Sequence, residues 1–453
     1  MNIKSFFAKR IHLLIILISS LMMVVVLNLP FKAKPFGDMN FHREAKNLAL
    51  YLKGAVDYDQ VTITQAPGPV FYYAPVYVLV PLEAQEDQYW YYAVTFSFVM
   101  MTISMLMIYR IGTNFFRKEI GLLTVLLFFI FPIHCYYNFG VAAESPAFFA
   151  IALALYGWSK VYFQPDKKSG WIILILGLWF LIMNRPNTVL ILAFGFLIVF
   201  YAYFKRKDFF KTYGKKLGTT FLIVGFMGFG TLMTAKSITA KKSPGDQENL
   251  FYYVAHLGRF QFREEITDFR FWDNDIRSDS YDYQNWVKSI EDLDQRMLET
   301  GMTHKEVYRE FLVQDVFDNP YWFTRQFFVK CFYGHVYFIN SVKPDNFKLG
   351  PIHGPIGYWF VILLINSINI LILFGAFLFL WKQKNLINYW PFWAIIIALL
   401  IFHGLTYMEP RYMFPARVAL YIMSAAGLYK LGWVQKSIGF VSKFVFPVNK
   451  SIS

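Results

Sequence analysis

A series of apolar runs constrains this chain most, since each is close to the length that a helix needs to cross a bilayer. Such a helix requires about 20 mostly apolar residues. The sequence therefore predicts an all-α polytopic membrane protein, a bundle of about 10 transmembrane helices. The predicted spans lie at about 12–29, 90–109, 120–137, 143–159, 170–184, 187–204, 218–235, 357–381, 389–404 and 418–433.

The composition agrees with a membrane protein and argues against a soluble enzyme. Hydrophobic residues make up 56% of the chain and charged residues 16%. In a typical soluble domain, roughly 45–50% of the residues are apolar and about 25% are charged. The two cysteines, Cys135 and Cys331, are too few for a disulfide scaffold or a cysteine-based structural zinc site.

The distribution of charge predicts the orientation. The net charge is +14, and the basic excess falls in the short loops on one side of the predicted spans and in both termini. By the positive-inside rule, that side and both termini are cytoplasmic. The basic excess is thus a topology signal, and we expect no nucleic-acid partner. The sequence shows no Gly-rich phosphate loop.

Two loops on the opposite, outer side are long, and they suggest a division of the chain into three segments. We predict an N-terminal transmembrane module over 1–235, which includes the first outer loop at 30–89. A large outer loop follows over 236–356, and C-terminal transmembrane helices with a short cytoplasmic tail occupy 357–453. Because the extramembrane mass lies outside, we expect the chemistry there.

Ionisable residues are nearly absent from the centres of the spans, which weakens the case for an ion-coupled transporter. The charged exceptions stand at the predicted outer ends of spans: Glu144, Arg185, Arg411 and Arg417. Helix capping would equally explain the acidic residue, and snorkelling would explain the arginines. Their common side instead indicates a site at the depth of lipid phosphates, which arginine binds well.

The first outer loop contains two predicted interfacial helices. Asp38 precedes an amphipathic pattern over 39–53, where it is either an N-cap or a functional carboxylate. A Pro-rich, aromatic segment begins near Gln65 and ends near Pro81. We expect it to form a second interfacial helix with tyrosines at headgroup depth.

The second outer loop contains a third candidate amphipathic helix, which follows Asn319. Its apolar face is predicted from the spacing of Phe327, Phe328, Cys331, Phe332 and Val336. The preceding stretch, about 245–318, mixes Asp, Arg and aromatic residues. It is either an acceptor-binding surface or a solvated cap.

Taken in order along the chain, these residues resemble the GT-C superfamily of membrane glycosyltransferases. Within that superfamily, the sequence is most similar to glycosyltransferase family 39, which contains protein O-mannosyltransferases and aminoarabinose transferases. The resemblance is carried by Gly37-Asp38, the segment Pro67 to Tyr73, Glu144, Gly177-Leu178 with Arg185-Pro186, and Arg411-Tyr412 with Pro415.

The resemblance implies an inverting transfer of a sugar from a polyprenyl-phosphate carrier to an acceptor hydroxyl on the outer face. It implies that Asp38 is the general base and that Arg411, followed by Arg185 and Arg417, binds the donor phosphate. It also implies a catalytic role for Glu144, which would either hold a divalent metal (Mg²⁺ or Mn²⁺) or position the acceptor or Asp38. The residues expected to line the substrate cavity are His42, Tyr72, Tyr73, Glu409 and Tyr412.

The implied partners are the lipid-linked donor, membrane lipid, and an acceptor that is a glycan, a lipid or a protein. Two other functions stay open. A lipid-linked sugar flippase or transporter would not need Asp38, and an envelope polysaccharide polymerase or ligase would use a diphosphate-linked donor. The compact inner loops favour a bacterial plasma membrane with the active side facing outward, although a lumenal site in the endoplasmic reticulum would give the same charge pattern.

Overall fold

A computed structural model of the chain consists almost entirely of helices. It describes residues 3–27, 39–63, 66–131, 141–205, 208–240, 250–263, 281–336, 344–346, 348–349, 352–408 and 410–445. Within these ranges the only strands are β1 (Lys348–Leu349) and β2 (Ile352–His353), which pair antiparallel as a small hairpin. The predicted all-α membrane architecture is confirmed, apart from this hairpin.

The helices before the large outer loop are α1 to α9. They are α1 (Ile3–Leu27), α2 (Met39–Leu52), α3 (Pro67–Tyr77), α4 (Glu86–Phe115), α5 (Lys118–Ile130), α6 (Glu144–Phe163), α7 (Lys168–Asn184), α8 (Val189–Phe204) and α9 (Asp208–Ala240).

Eight further helices complete the described part of the chain. They are α10 (Leu250–Phe260), α11 (Tyr281–Thr300), α12 (His304–Asp318), α13 (Pro320–Tyr333), α14 (Gly354–Lys382), α15 (Trp390–Leu405), α16 (Arg417–Leu428) and α17 (Gly432–Val445). Short 3₁₀ turns lie at Tyr58–Gln60, Pro186–Thr188, Pro344–Asn346, Leu386–Tyr389 and Pro410–Met413.

Each of the ten predicted spans overlaps one of these helices. Within the described residues, five helices are long and apolar enough to cross a membrane: Glu86–Phe115, Glu144–Phe163, Phe209–Ala235, Gly354–Lys382 and Leu386–Leu405. Four shorter apolar helices accompany them, at Ile11–Val24, Lys168–Asn184, Val189–Phe204 and Arg417–Leu428. The count of about ten spans therefore stays a prediction. Large apolar side chains such as Phe226, Leu363 and Trp381 are exposed on these helices, as expected of surfaces that face lipid.

The chain divides into two compact units. The first comprises residues 1–242, 371–396 and 415–453, and the second comprises residues 243–370 and 397–414. The last two helices thus belong with the N-terminal helices, whereas the three predicted segments followed the order of the chain. The segments themselves stay a prediction.

In the first unit, α6 and α7 form an antiparallel hairpin whose backbones touch. A Cβ on Gly157 would lie 2.4 Å from the Leu174 nitrogen, and a Cβ on Gly177 would lie 2.4 Å from the Ala154 nitrogen. Small residues at such positions let helices approach closely in a membrane. The same register places the start of α6 beside the residues that follow α7.

The two predicted helices of the first outer loop are present as α2 and α3, and they pack against each other. The spacing predicts an apolar face made of Phe41, Ala45, Leu48, Ala49 and Leu52. Phe41, Ala45 and Ala49 are buried and Leu48 is partly buried, whereas Leu52, the last residue of the helix, is 62% exposed. The tyrosines of α3 differ from the prediction, because Tyr72, Tyr73 and Tyr77 are buried rather than placed at headgroup depth. They belong to the apolar cluster that includes the buried face of α2.

In the second unit, α13 is apolar on its outside and polar on its inside. Its buried residues are Gln326, Lys330 and Tyr333, whereas Phe328 and Phe332 are 66% and 70% exposed. The predicted helix is therefore present, but Val336 lies beyond its end. Phe328 and Phe332, which the spacing placed on its apolar face, point away from the rest of the protein. Gln326 Nε2 donates to the carbonyl of Arg259, and Lys330 Nζ donates to the carbonyl of Thr406 at 2.8 Å.

We expect Gly177→Ala to destabilise the protein, because the added methyl would overlap the α6 backbone. Overpacking of this kind costs about 1–3 kcal/mol. The melting temperature of the purified protein in detergent measures the effect. Gly225→Ala, on α9, is the matched control, because a Cβ there meets nothing within 4 Å. Equal melting temperatures for the two variants would contradict the close α6–α7 contact.

Burial lowers the pKa of Lys330 to about 7, below its value of about 10.4 in an unfolded chain. Between these values the unfolded chain binds more protons than the folded one, so the Lys330 contribution to stability rises with pH. We expect Lys330→Met to remove that part of the pH dependence from pH 7 to 10, measured as the melting temperature at each pH. Lys288→Met, at an exposed site of the second unit, should leave the dependence as it is in the native chain.

Candidate functional site

The best-defined polar centre of the first unit is a buried ion pair between Glu144 and Arg185. Arg185 Nη2 donates to Glu144 Oε1 at 2.8 Å, and the two side chains are only 11% and 6% exposed, the arginine first. Glu144 opens α6 and Arg185 directly follows α7. The sequence singled out these two residues separately, and the hairpin register brings them together.

The start of α3 packs directly against this pair's neighbours. A Cβ on Gly68 would lie 2.6 Å from the Asn184 backbone nitrogen, so only glycine fits between Pro67 and Pro69. Asn184 is buried and donates from Nδ2 to the Phe180 carbonyl at 2.7 Å. Its Oδ1 is buried and has no hydrogen-bond partner within the described part of the chain. A buried acceptor therefore stands next to Arg185.

Tyr73 of α3 connects the Pro-rich segment to the loop before α6. Its hydroxyl donates to the Ala142 carbonyl at 3.2 Å, two residues before Glu144. Burial, together with the nearby charge of Glu144, raises the pKa of Tyr73 to about 12. The phenol therefore keeps its proton at neutral pH and acts as a donor. Tyr72 is buried beside it, with the two rings 4.8 Å apart.

Arg417 lies at the same end of the first unit as the ion pair. It opens α16, is 0% exposed, and its guanidinium stands 4.9 Å from the centre of the Phe131 ring, just past the end of α5. One helical turn after Glu144 and Arg417, respectively, Phe148 and Tyr421 both contact Phe128. Both helices therefore begin at a similar level on α5.

A second polar network in the first unit involves His42, which the sequence predicts to line the cavity. His42 is buried and hydrogen-bonds to the Tyr77 hydroxyl at 2.9 Å and to Glu86 at 2.8 Å. Lys46 also donates to Glu86. The sequence analysis did not select Lys46 or Glu86. The spacing of four residues between His42 and Lys46 places both on one face of α2. This spacing is the sequence feature that could have identified Lys46 as a neighbour of His42.

The remaining predicted residues belong to the second unit or lie outside the described residues. Arg411 is exposed, with its guanidinium 5.3 Å from the centre of the Tyr412 ring. Tyr412 stacks on His403 at a centroid distance of 4.6 Å. Asp38, the predicted general base, and Glu409 lie outside the described residues. The functional roles of all these residues stay predictions.

Among the described residues, the donor set around Glu144 does not fit a hard divalent metal. Such ions prefer several oxygen ligands, whereas one Glu144 oxygen is already bonded to a guanidinium. Across the described ranges, no group of three His, Cys, Asp or Glu side chains is arranged to hold a metal. We therefore assign no chemical step at this site to a metal.

The fold and this site define a class: a helical membrane protein with buried arginines at one end of its spans. A family model described as dolichyl-phosphate-mannose-protein mannosyltransferase matches residues 64–229. The match contains α3, Glu144 and Arg185. The match covers less than half of the chain, and over this segment the chain is similar to the family that its sequence resembles.

The chain also has a low similarity to solved structures. The archaeal oligosaccharyltransferase AglB from Archaeoglobus fulgidus, in complex with an inhibitory peptide and a dolichol-phosphate, has 12% identity and a TM-score of 0.49, over 99% of this chain and 53% of its own. ArnT from Cupriavidus metallidurans, bound to undecaprenyl phosphate, has 11% identity and a TM-score of 0.39, over 93% of this chain and 79% of its own. This chain thus spans about half the length of AglB. Neither similarity is high enough to transfer an activity, and no curated protein matches the chain.

We expect loss of one partner of the Glu144–Arg185 pair to cost more stability than loss of both. Arg185→Met leaves a buried carboxylate without its cation, at a cost of about 3–5 kcal/mol. Adding Glu144→Gln to that variant should recover part of the loss. Thermal unfolding of the two single variants and the double variant gives the coupling energy.

The half-exposed pair Arg296–Glu310 is the control, with side chains 40% and 24% exposed. Its coupling should stay within about 1 kcal/mol. A coupling for Glu144 and Arg185 no larger than that of this control would mean that the buried pair is not formed.

Proposed function

We propose that this chain transfers a sugar from a polyprenyl-phosphate carrier to an acceptor hydroxyl on the outer face of the membrane, with inversion. The observation that carries the proposal is the buried Glu144–Arg185 pair, held where α3, α6 and α7 meet. All three elements lie inside the segment that matches the mannosyltransferase family. The description of that family, dolichyl-phosphate-mannose-protein mannosyltransferase, contains a lipid-phosphate-linked sugar donor.

The proposed role of the buried arginines is to bind the phosphate of the donor. Arg185 and Arg417 stand at the ends of helices, and their exposed fractions are 11% for the side chain of Arg185 and 0% for Arg417. A guanidinium in such a place stabilises the negative charge that develops on a departing phosphate. Glu144 would act as a positioning residue, because its ion pair fixes the orientation of the Arg185 fork. Arg411 stays in the proposal as a further contact to the donor.

The proposed reaction is a single displacement at the anomeric carbon. The acceptor oxygen attacks as the bond between that carbon and the carrier phosphate breaks, and the phosphate leaves with the electron pair. The proton of the acceptor hydroxyl passes to a carboxylate, for which Asp38 is the candidate. A general base of this kind contributes about 10²–10⁴-fold to the rate. The buried Oδ1 of Asn184 is available to accept a hydrogen bond from a substrate hydroxyl.

The proposal includes a location. The chain is an integral membrane protein, and we propose that it resides in a bacterial plasma membrane with both termini cytoplasmic. Protease protection of the loop 236–356 in sealed vesicles of known orientation tests the sidedness.

The predicted metal is tested directly with a chelator. If the chelator stops donor turnover, the reaction needs a metal, and its ligands must include residues other than the described ones around Glu144.

The activity is tested with the full-length protein in liposomes and a panel of labelled polyprenyl-phosphate sugars. Water can replace the unknown acceptor, so slow release of labelled sugar reports turnover of the donor. We expect one donor to be hydrolysed, Asp38→Asn to lower the rate about 10²-fold or more, and Arg185→Gln to weaken donor binding.

Asp87→Asn and Arg43→Gln are the matched controls, because both residues are exposed and lie on the same predicted side. Turnover that survives in Asp38→Asn would remove Asp38 as the base. If no monophosphate-linked donor binds, a function that uses a diphosphate-linked donor replaces the proposed one. Movement of the labelled lipid across the bilayer without sugar release would instead indicate a flippase.

A further inference from the structure

A cavity of about 620 Å³ lies at the ends of α4 and α6 that are remote from Glu144. Both helices belong to the first unit. Ser159, in the cavity wall, comes fifteen residues after Glu144 on α6, which corresponds to about 22 Å along the helix axis. The cavity is therefore a separate place from the candidate transfer site, and a ligand-binding role for it does not depend on the proposed function.

The wall of this cavity combines two cations with neutral hydrogen-bonding side chains. Arg110 on α4 and Lys160 on α6 supply the charges, and Thr113, Asn114, Ser159 and Gln164 supply the polar groups. None of the described residues that line it is acidic. A cation pair without a carboxylate partner in the wall is suited to an anion, and a guanidinium with an ammonium is suited to phosphate oxygens.

Two polar side chains of the wall bond to each other, which orients the hydroxyl of Ser159. Asn114 Nδ2 donates to Ser159 Oγ at 2.9 Å, and Ser159 is fully buried. Because this hydroxyl oxygen accepts from the amide, its own proton is available for a further hydrogen bond. Lys160 Nζ stands 5.1 Å from the centre of the Tyr156 ring, so a cation–π contact holds the ammonium at the cavity.

The size and position of the cavity indicate what carries the phosphate. A volume of about 620 Å³ is that of a pocket for a small molecule and leaves room for more than the phosphate alone. The cavity stands at the ends of two helices that are long and apolar enough to cross a membrane, and lipid headgroups are expected at the ends of such helices. Its rim includes Phe163, which is 46% exposed and can contact acyl chains.

We propose that this cavity binds a phosphate monoester or diester, supplied by the headgroup of an anionic phospholipid in the cytoplasmic leaflet. Arg110 and Lys160 would contact the phosphate oxygens, and Ser159 would donate a hydrogen bond. Bound lipid would then bridge α4 and α6 at the end opposite to the Glu144–Arg185 pair.

The test measures binding of phosphatidic acid to the delipidated full-length protein in detergent, by native mass spectrometry and by the rise in melting temperature. The test variant is Arg110→Gln with Lys160→Gln. The control is Lys167→Gln with Lys168→Gln, which removes the same charge from exposed residues nearby. We expect the affinity of the test variant to fall at least about tenfold, and that of the control to stay as in the native chain.

Further arms separate the source of the phosphate and protect the test against misfolding. Lys160→Arg should retain binding, and Asn114→Leu should weaken it without a change of charge. Diacylglycerol, which lacks the phosphate, should not bind. Competition by inorganic phosphate would assign the site to phosphate from any source, whereas its failure to compete would assign the site to the lipid headgroup. Equal affinity of the test and control variants, or binding of diacylglycerol as tight as that of phosphatidic acid, would overturn the proposal.

Discussion

The backbone contact between α6 and α7 is the constraint on which the candidate site depends. Gly157 and Gly177 leave no space between the two helices, and this closeness fixes their antiparallel register. The register in turn places the first residue of α6 beside the residue after α7. A buried carboxylate and a buried guanidinium are each unfavourable alone, but together they form a hydrogen-bonded pair. Packing of small residues along the hairpin thus determines where the charges meet.

Much of this arrangement could be predicted from the sequence, because the bilayer limits what an apolar run can form. All ten predicted spans overlap described helices, and the apolar face of α2 was correct at Phe41, Ala45 and Ala49. Glu144 and Arg185 stood out because the spans hold almost no ionisable residues and these two stand at the same predicted side of neighbouring runs. The sequence could not show that they touch, since a contact between residues 144 and 185 depends on the register of two helices.

The differences between prediction and structure have a common physical origin. The tyrosines of α3 and the phenylalanines of α13 were judged by hydropathy, which does not distinguish a surface that faces lipid from one that faces protein. In α3 the rings pack on one another and on α2, so they are buried. In α13 the polar Gln326 and Lys330 face inward, because backbone carbonyls of the same unit accept their hydrogen bonds, and Phe328 and Phe332 remain outside. Asp38 lies outside the described residues, and its role stays a prediction from the sequence.

The ion pair also has a consequence for how the chain enters the membrane. A span that carries an ionised residue is harder to insert than one without, and Glu144 and Arg185 belong to neighbouring predicted spans. Only a short turn, residues 164–167, separates α6 from α7, so the two helices can enter together as a hairpin with the charges already neutralised. The glycines that allow the close contact would then assist biogenesis as well as the finished fold, since the pair forms only when the two backbones meet.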